Sequence, residues 1–319
     1  MFIAPIAVFA FNRPDLLLKT LTALAANDLA KESDITIFCD GPRHDEEKKA
    51  TDSVRAVAHA TQGFASVHVV ERQRNMGCAA SVIDGLTQMF AAHERLIVIE
   101  DDILWSPYTL KFLNAGLEFY ANDLRIFNIS AWSPPPSLFK VPRDYPHDVY
   151  AIPRFNCWGW ASWRDRFQNI DWTVADYEDF KPSLSLRKAF NAGGEDMSAM
   201  LDAQMEGQID SWAIRADYAR FKNGQVGINP VKPYATNIGM RGGTHCAEAT
   251  DKFYNDIDAA LQELKFIANI AYDKKLIKRY RRVYSGLSDN TFYNMCIWVY
   301  KRFPNNIKNL IRFLWKRCK

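Results

Sequence analysis

The chain has 319 residues, 48% hydrophobic and 24% charged, with a net charge of +3; this ordinary globular composition supports one large core or two smaller ones. Its six cysteines lie far apart and form no CxxC pair, which excludes a thiolate metal cluster or a disulfide-stapled scaffold and fits free thiols in a reducing cytosol. No stretch reaches about 18 uninterrupted apolar residues, the length a membrane span needs. The apolar start, Met1 to Phe11, lacks a basic flank and a cleavage site, so it is expected to be a buried first strand.

The N-terminal third alternates in a βα rhythm. Pro5 to Phe11 is a short apolar run of the kind covered on both faces. Pro14 and Asp15 then open a Leu-rich helix to Ala26, with proline and an acid where a helix start favours them. Asp34 to Cys39 reads as a second strand, ending at Asp40-Gly41-Pro42, and a helix follows from about Asp45 to Thr61. A third strand, Ser66 to Val70, leads through Asn75-Met76-Gly77 into a helix over Ala79 to His93. Arg95 to Ile99 is the most buried-looking strand, and it ends at Glu100-Asp101-Asp102. From Phe127 to Trp163 the pattern loosens around Pro134-Pro135-Pro136 and a Trp158–Trp163 aromatic cluster. Residues 176–222 read as helical with breaks at Gly193-Gly194 and Gly207, and 224–245 reads as loop-rich.

Strands alternating with helices predict an α/β fold with a mainly parallel twisted sheet flanked by helices. In such sheets ligands sit beyond the carboxyl ends of the strands. Asn12-Arg13, Asp40, Asn75 and the acidic triplet should therefore gather along one edge. Three consecutive carboxylates after a buried strand repel one another and resist desolvation unless a cation or water compensates. A divalent ion bridging a diphosphate supplies that compensation, and Mn²⁺ or Mg²⁺ takes such oxygen ligands. The competing reading is a solvated acidic turn.

The ordered set of motifs resembles the GT-A glycosyltransferases, in particular the inverting N-acetylglucosaminyltransferase I-like group and its bacterial relatives. Ile97 to Asp102 resembles that group's strand and EDD motif, Phe11-Asn12-Arg13 its first loop, Cys39-Asp40 its second, and Asn75-Met76-Gly77 the loop ahead of the EDD strand. The similarity runs on through Ile129 to Trp132, Cys157 to Trp160 and Ile209 to Arg215, ending near Gly243-Thr244-His245. The resemblance implies a Rossmann-like GT-A sheet, a UDP-sugar donor, Mn²⁺ or Mg²⁺, and inversion at the anomeric carbon. It implies that Phe11, Arg13, Asp40, Asn75, Glu100 and Asp101 contact the nucleotide sugar and that Asp102 holds the metal.

Inversion needs one carboxylate to take the acceptor proton. By resemblance this is Asp210, although relatives often carry two adjacent acids where this chain has Ser211. Asp210 also reads as an N-cap of the following helix. Glu195 and Asp196, after Gly193-Gly194, are the rivals, since many GT-A enzymes present the base as an ED pair. His245 is a second candidate metal ligand, against a loop or phosphate contact. Trp160 is either core or part of the sugar pocket.

Residues 274–319 hold 13 Lys or Arg against one acid, Asp289, which leaves the rest of the chain at −9. Ile307, Leu310, Ile311, Leu314 and Trp315 fall at helical spacing with basic residues opposite. Such a helix suits an anionic membrane surface, against a reading in which it packs on the domain with a solvated basic face. The acidic body and the lack of a nucleic-acid module argue against nucleic acid as a partner. The expected division is a GT-A domain over 1–262 and a basic helical region over 263–319, on the cytoplasmic membrane face, with a glycan or lipid-linked acceptor. A sugar-phosphate nucleotidyltransferase is the alternative, but the loop after the first strand has no glycine to cradle phosphates. A non-catalytic membrane scaffold is the other alternative, and the intact triplet opposes it.

Overall fold

The computed structural model describes residues 3–240, 251–257, 264–270 and 273–284. Ten strands are formed among these: β1 Ile6–Ala10, β2 Asp34–Cys39, β3 Ser66–Glu71, β4 Arg95–Glu100, β5 Ile103–Trp105, β6 Ile126–Ser130, β7 Val149–Ile152, β8 Trp160–Trp163, β9 Val226–Pro230 and β10 Ala235–Asn237. Eight of them make one sheet in the order β3-β2-β1-β4-β8-β6-β9-β7, and β5 pairs with β10 separately. The first four are mutually parallel. β8 then runs antiparallel to both β4 and β6, β9 is parallel to β6, and β7 is antiparallel to β9. The architecture is the α/β, mostly parallel, helix-flanked sheet that the βα rhythm predicts.

Four helices frame the parallel half: α1 Pro14–Ala25, α2 Lys48–His59, α3 Cys78–Ala92 and α4 Thr109–Phe119. In β1, Ile6 and Val8 turn to one face and Ala7 and Phe9 to the other, and all are buried. The first face packs on Leu17, Leu21 and Leu24 of α1 and on Leu110, Leu113 and Leu117 of α4. Their spacing of three and four residues is the stripe an amphipathic helix presents. The second face packs on Val82, Leu86 and Phe90 of α3 and on Trp212. Burying each such side chain contributes about 1.5–3 kcal/mol, so β1 is held from both sides.

Residues 176–222 are helical with the expected breaks: Tyr177–Phe180, Leu184–Phe190, Met197–Met205 and Trp212–Lys222. The stretches read as loose are not. Residues 127–163 hold β7, β8 and most of β6, and 224–245 hold β9 and β10. These strands are only three to five residues long and buried on both faces, so they show no alternation in the sequence. The basic helix Lys274–Arg281 begins at Asp273, whose carboxylate accepts from the Lys275 and Leu276 amides at 2.8 and 3.1 Å. It buries Leu276 and Tyr280 against Phe139, Tyr150 and Ile152. Packing on the domain thus continues past residue 262, with Ile267 in the main core. The amphipathic segment around 305–317 lies outside the described residues.

Candidate active site

β1 connects to β2 on one side, while β4 lies on its other side. The strand order therefore reverses between β1 and β4, and the crevice beyond their carboxyl ends is where such a sheet binds ligands. Arg13 enters it from β1 and the acidic triplet from β4. The Arg13 guanidinium pairs with both Asp101 and Asp102, the latter at 2.9 Å. The Phe11 amide donates to Asp101 Oδ2 at 3.4 Å, and Thr20 Oγ1 donates to the Asp101 carbonyl at 2.9 Å. Burial works against the Arg13 charge, but Asp101 and Asp102 prevail and push its pKa upward. Glu100 is pushed up to about 8, first by burial and then by the Asp102 and Asp101 charges, with Arg13 opposing. The triplet is a strained electrostatic assembly that one arginine compensates only in part.

Asp102 bears the sharpest constraint. Its Oδ1 is buried and has no hydrogen-bond partner among the described residues. Its carbonyl accepts from the Ile238 amide at 2.8 Å. The chain after β10 comes so close that a Cβ at Gly239 would lie 1.9 Å from Asp102 Oδ2. Only a residue without a side chain fits there, and the Asn237-Ile238-Gly239 loop becomes one wall of the crevice.

Asp40, at the end of β2, is buried and accepts from the amides of Gly41 and Met76 at 2.8 and 3.0 Å and from Asn75 Nδ2 at 3.0 Å. Burial raises its pKa while those amides, with Gly77, pull it down. Asn75 is thereby tied to Asp40. The same turn reaches a second carboxylate: the Ala79 amide, in the first turn of α3, donates to Asp210 Oδ2 at 3.1 Å. Gly77 adopts φ +83°, and a Cβ there would stand 3.0 Å from Asp210 Oδ2. Asp210 does not cap its own helix. Ser211 does so, its Oγ accepting from the Ile214 amide at 3.4 Å. Asp210 sits instead against the amino end of α3, where the helix favours an anion.

Asp210, Asp196 and Glu100 line one cavity of about 950 Å³, together with Cys78, Trp158 and Trp212. Asp196 is held by Arg154, whose Nη1 and Nη2 donate to its two oxygens at 2.8 and 2.9 Å. Glu195 is not among the cavity-lining residues and pairs with Arg281 at 3.4 Å. Trp160, expected either in the core or at a sugar pocket, is fully buried, stacked on Phe167 at 4.9 Å and packed on Phe155 and Trp212. Its place in β8 turns it into the second core, and Trp158 takes the cavity position instead. His245 lies outside the described residues. Arg154, Asn156 and Tyr284 line the cavity without having been singled out from the sequence. Arg154 and Asn156 lie in a stretch without periodicity and Tyr284 in the basic helical region, and no local motif marks any of them.

Residues 5–125 match the family model described as glycosyltransferase like family 2, which spans β1 to α4 and so covers the crevice. No curated protein sequence matches the chain. A solved structure of S. aureus TarS, residues 1–349, is similar at 12% identity and a TM-score of 0.44, covering 74% of this chain and 61% of that one. This chain thus spans less than two thirds of that structure's length. A mannosyltransferase, PcManGT from Pyrobaculum calidifontis, solved with GDP-Man and Mn²⁺, is similar at 16% identity and a TM-score of 0.38, covering 69% of this chain and 74% of that one. The match thus likens residues 5–125, the part that carries the crevice, to a glycosyltransferase domain.

Proposed function

We propose that the chain is an inverting, metal-dependent glycosyltransferase that moves a sugar from a UDP-sugar to a hydroxyl of a glycan or lipid-linked acceptor. A bacterial surface polysaccharide or lipooligosaccharide is the acceptor class, and N-acetylglucosamine is the sugar suggested by the N-acetylglucosaminyltransferase I-like motifs. The supporting observation is that Asp210 and Glu100 line one cavity and that Glu100 is also the last residue of β4, beside β1. A donor lying in the crevice would present its anomeric carbon to a carboxylate across that cavity.

In this reading Asp40 and Asn75 hold the nucleoside, since their mutual hydrogen bond fixes the carboxylate before the ligand arrives. Arg13 is shared between triplet and donor phosphate, and Phe11 flanks the nucleotide. Asp210 accepts the proton of the acceptor hydroxyl as that oxygen attacks the anomeric carbon and the diphosphate leaves from the opposite face. Asp196 is the second candidate base because it lines the same cavity. Both its oxygens are engaged by Arg154, so an acceptor hydroxyl would have to compete with that guanidinium for them.

A divalent ion fits the residues present. The unpartnered Asp102 Oδ1 is a hard anionic oxygen of the kind Mn²⁺ or Mg²⁺ takes. No three His, Cys, Asp or Glu side chains gather as a metal site among the described residues, so Asp102 would hold the ion together with donor phosphate. When bound, the ion offsets the charge on the departing diphosphate. The basic segment to residue 319 would keep the enzyme on an anionic membrane face. No helix among the described residues is long and apolar enough to cross a membrane.

The test is binding and slow hydrolysis of UDP-, GDP-, CMP- and dTDP-sugars with Mn²⁺, with Mg²⁺ and with EDTA, on wild type and Asp102→Ala. Turnover of one UDP-sugar, abolished by EDTA and by the substitution, is expected. If no sugar nucleotide binds with either metal, the reading fails.

A further inference from the structure

The segment 273–284, which packs back on the domain, brings Tyr284 to the cavity. Tyr284 lines it together with Arg154 and Asp196. The Arg154 guanidinium lies over the Tyr284 ring, 3.6 Å from its centroid. The ring also stacks on Phe253, with centroids 5.8 Å apart and planes inclined by 23°. Tyr284 is also tied at its edge: its hydroxyl donates to Asn156 Oδ1 at 3.3 Å, while Asn156 Nδ2 donates to the Tyr280 hydroxyl at 2.8 Å. Arg154 is thus gripped on one face by an aromatic ring and along its edge by the two Asp196 oxygens. Its alkyl stem is buried, and its backbone carbonyl lies so close to β9 that a Cβ at Gly227 would meet it at 2.4 Å.

This arrangement leaves a fixed polar edge beside a flat apolar wall. The carboxylate of Asp196 keeps lone pairs free, and Gln208 adds an amide on the same cavity lining. Trp158 supplies the wall, its ring held edge-to-face against Trp132 at 4.7 Å. A saccharide has this pair of features: hydroxyls that both donate and accept, and an apolar face that stacks on an aromatic ring. The cavity walls also lack a cation free of an acid partner among these residues, since Arg154 is paired with Asp196, so the site suits a neutral sugar.

We propose that the Arg154–Asp196 pair and Trp158 form a subsite for a neutral saccharide, the sugar that accepts the transfer, and that Tyr284 is its positioning residue. The role as acceptor subsite rests on the transferase reading above; the binding of a saccharide does not. Tyr284 then brings the described segment 273–284 to the place where the acceptor binds.

The experiment is a titration of the full chain with methyl glucosides, galactosides and N-acetylglucosaminides, read by the fluorescence of the cavity tryptophans. Wild type, Tyr284→Leu and Tyr284→Phe are compared. Leucine keeps apolar bulk but loses the aromatic face; phenylalanine keeps the face. At least one glycoside should bind the wild type, Tyr284→Leu should weaken it about tenfold, since an Arg154 no longer held against a ring must be ordered on binding, and Tyr284→Phe should restore most of the affinity. Should Tyr284→Leu lose its melting transition, Asp196→Asn replaces it, with the same weakening expected. The proposal is overturned if no glycoside binds the wild type, if the leucine variant (or its Asp196→Asn replacement) binds like the wild type, or if phenylalanine is as damaging as leucine. Nucleotide-sugar binding is measured on the same samples. Glycoside binding without any nucleotide-sugar binding would sink the transferase reading and leave the saccharide site standing.

Discussion

The sheet has two halves built on different plans. From β1 to β5 each strand runs the same way up to β4, polar residues occur at strand ends, and the apolar residues lie between them. From β6 to the helix Lys274–Arg281 the strands mix directions, and the cavity residues Arg154, Asp196 and Asp210 come from connections and helix starts. In the first half chemistry and core are separated along the chain, so a motif there announces itself. In the second they are interleaved: Trp158 lines the cavity while Trp160, two residues on, is fully buried. A parallel sheet gathers the loops that follow its strands at one edge; an antiparallel hairpin makes no such demand.

The comparison breaks most easily at the base. Asp210→Asn keeps the acceptor for the Ala79 amide and removes the proton acceptor, so donor turnover to acceptor should fall about 10²–10⁴-fold with little change in melting. Asp196→Asn should cost less than that in turnover. If steady-state rates show the reverse order, the base is Asp196 and not Asp210. Next in size, Trp160→Ala should destabilise the fold by about 3–5 kcal/mol in denaturant titrations, as a large core truncation does. Trp158→Ala should cost much less stability and lower glycoside binding instead. Equal stability losses would erase the distinction between the two tryptophans.

Gly239→Ala probes the wall between the halves. The added methyl must displace the Asp102 carboxylate, so metal-dependent donor binding should weaken about tenfold, in line with overpacking costs, while Tm shifts by only a few degrees. Calorimetric donor titration checks this; unchanged affinity would mean that the loop yields freely. The smallest effect belongs to the rim. Arg43, hydrogen-bonded to Glu47, holds that carboxyl down at about 2. A carboxyl lowered by folding contributes stability above its ordinary value of 4.5 that disappears as pH falls towards about 2. Glu47→Gln should therefore slightly flatten the acid limb of the stability profile in that window, an effect that solvent screening keeps small.

Legibility followed the same divide. β2 was readable to the residue at Asp34–Cys39, and α1, α3 and β4 to within two residues, because a buried parallel strand or an amphipathic helix carries its own period. The gathering of Arg13, Asp40, Asn75 and Glu100–Asp102 along one edge was also readable, because strand direction and connection order dictate it. β6 to β9 were not, being too short and too evenly buried to show alternation.

Local sequence determined where the first half begins and ends its elements, since propensity, caps and hydrophobic period act within one turn or strand. It also determined that three carboxylates meet at the end of β4, because they are consecutive. Only the tertiary structure decided that Ser211 rather than Asp210 caps its helix, that Asp210 turns to the amino end of α3, and that Tyr284 lies against Arg154. Those contacts join residues 131 and 130 positions apart. Their partners are chosen by packing, and packing leaves no local trace in the chain.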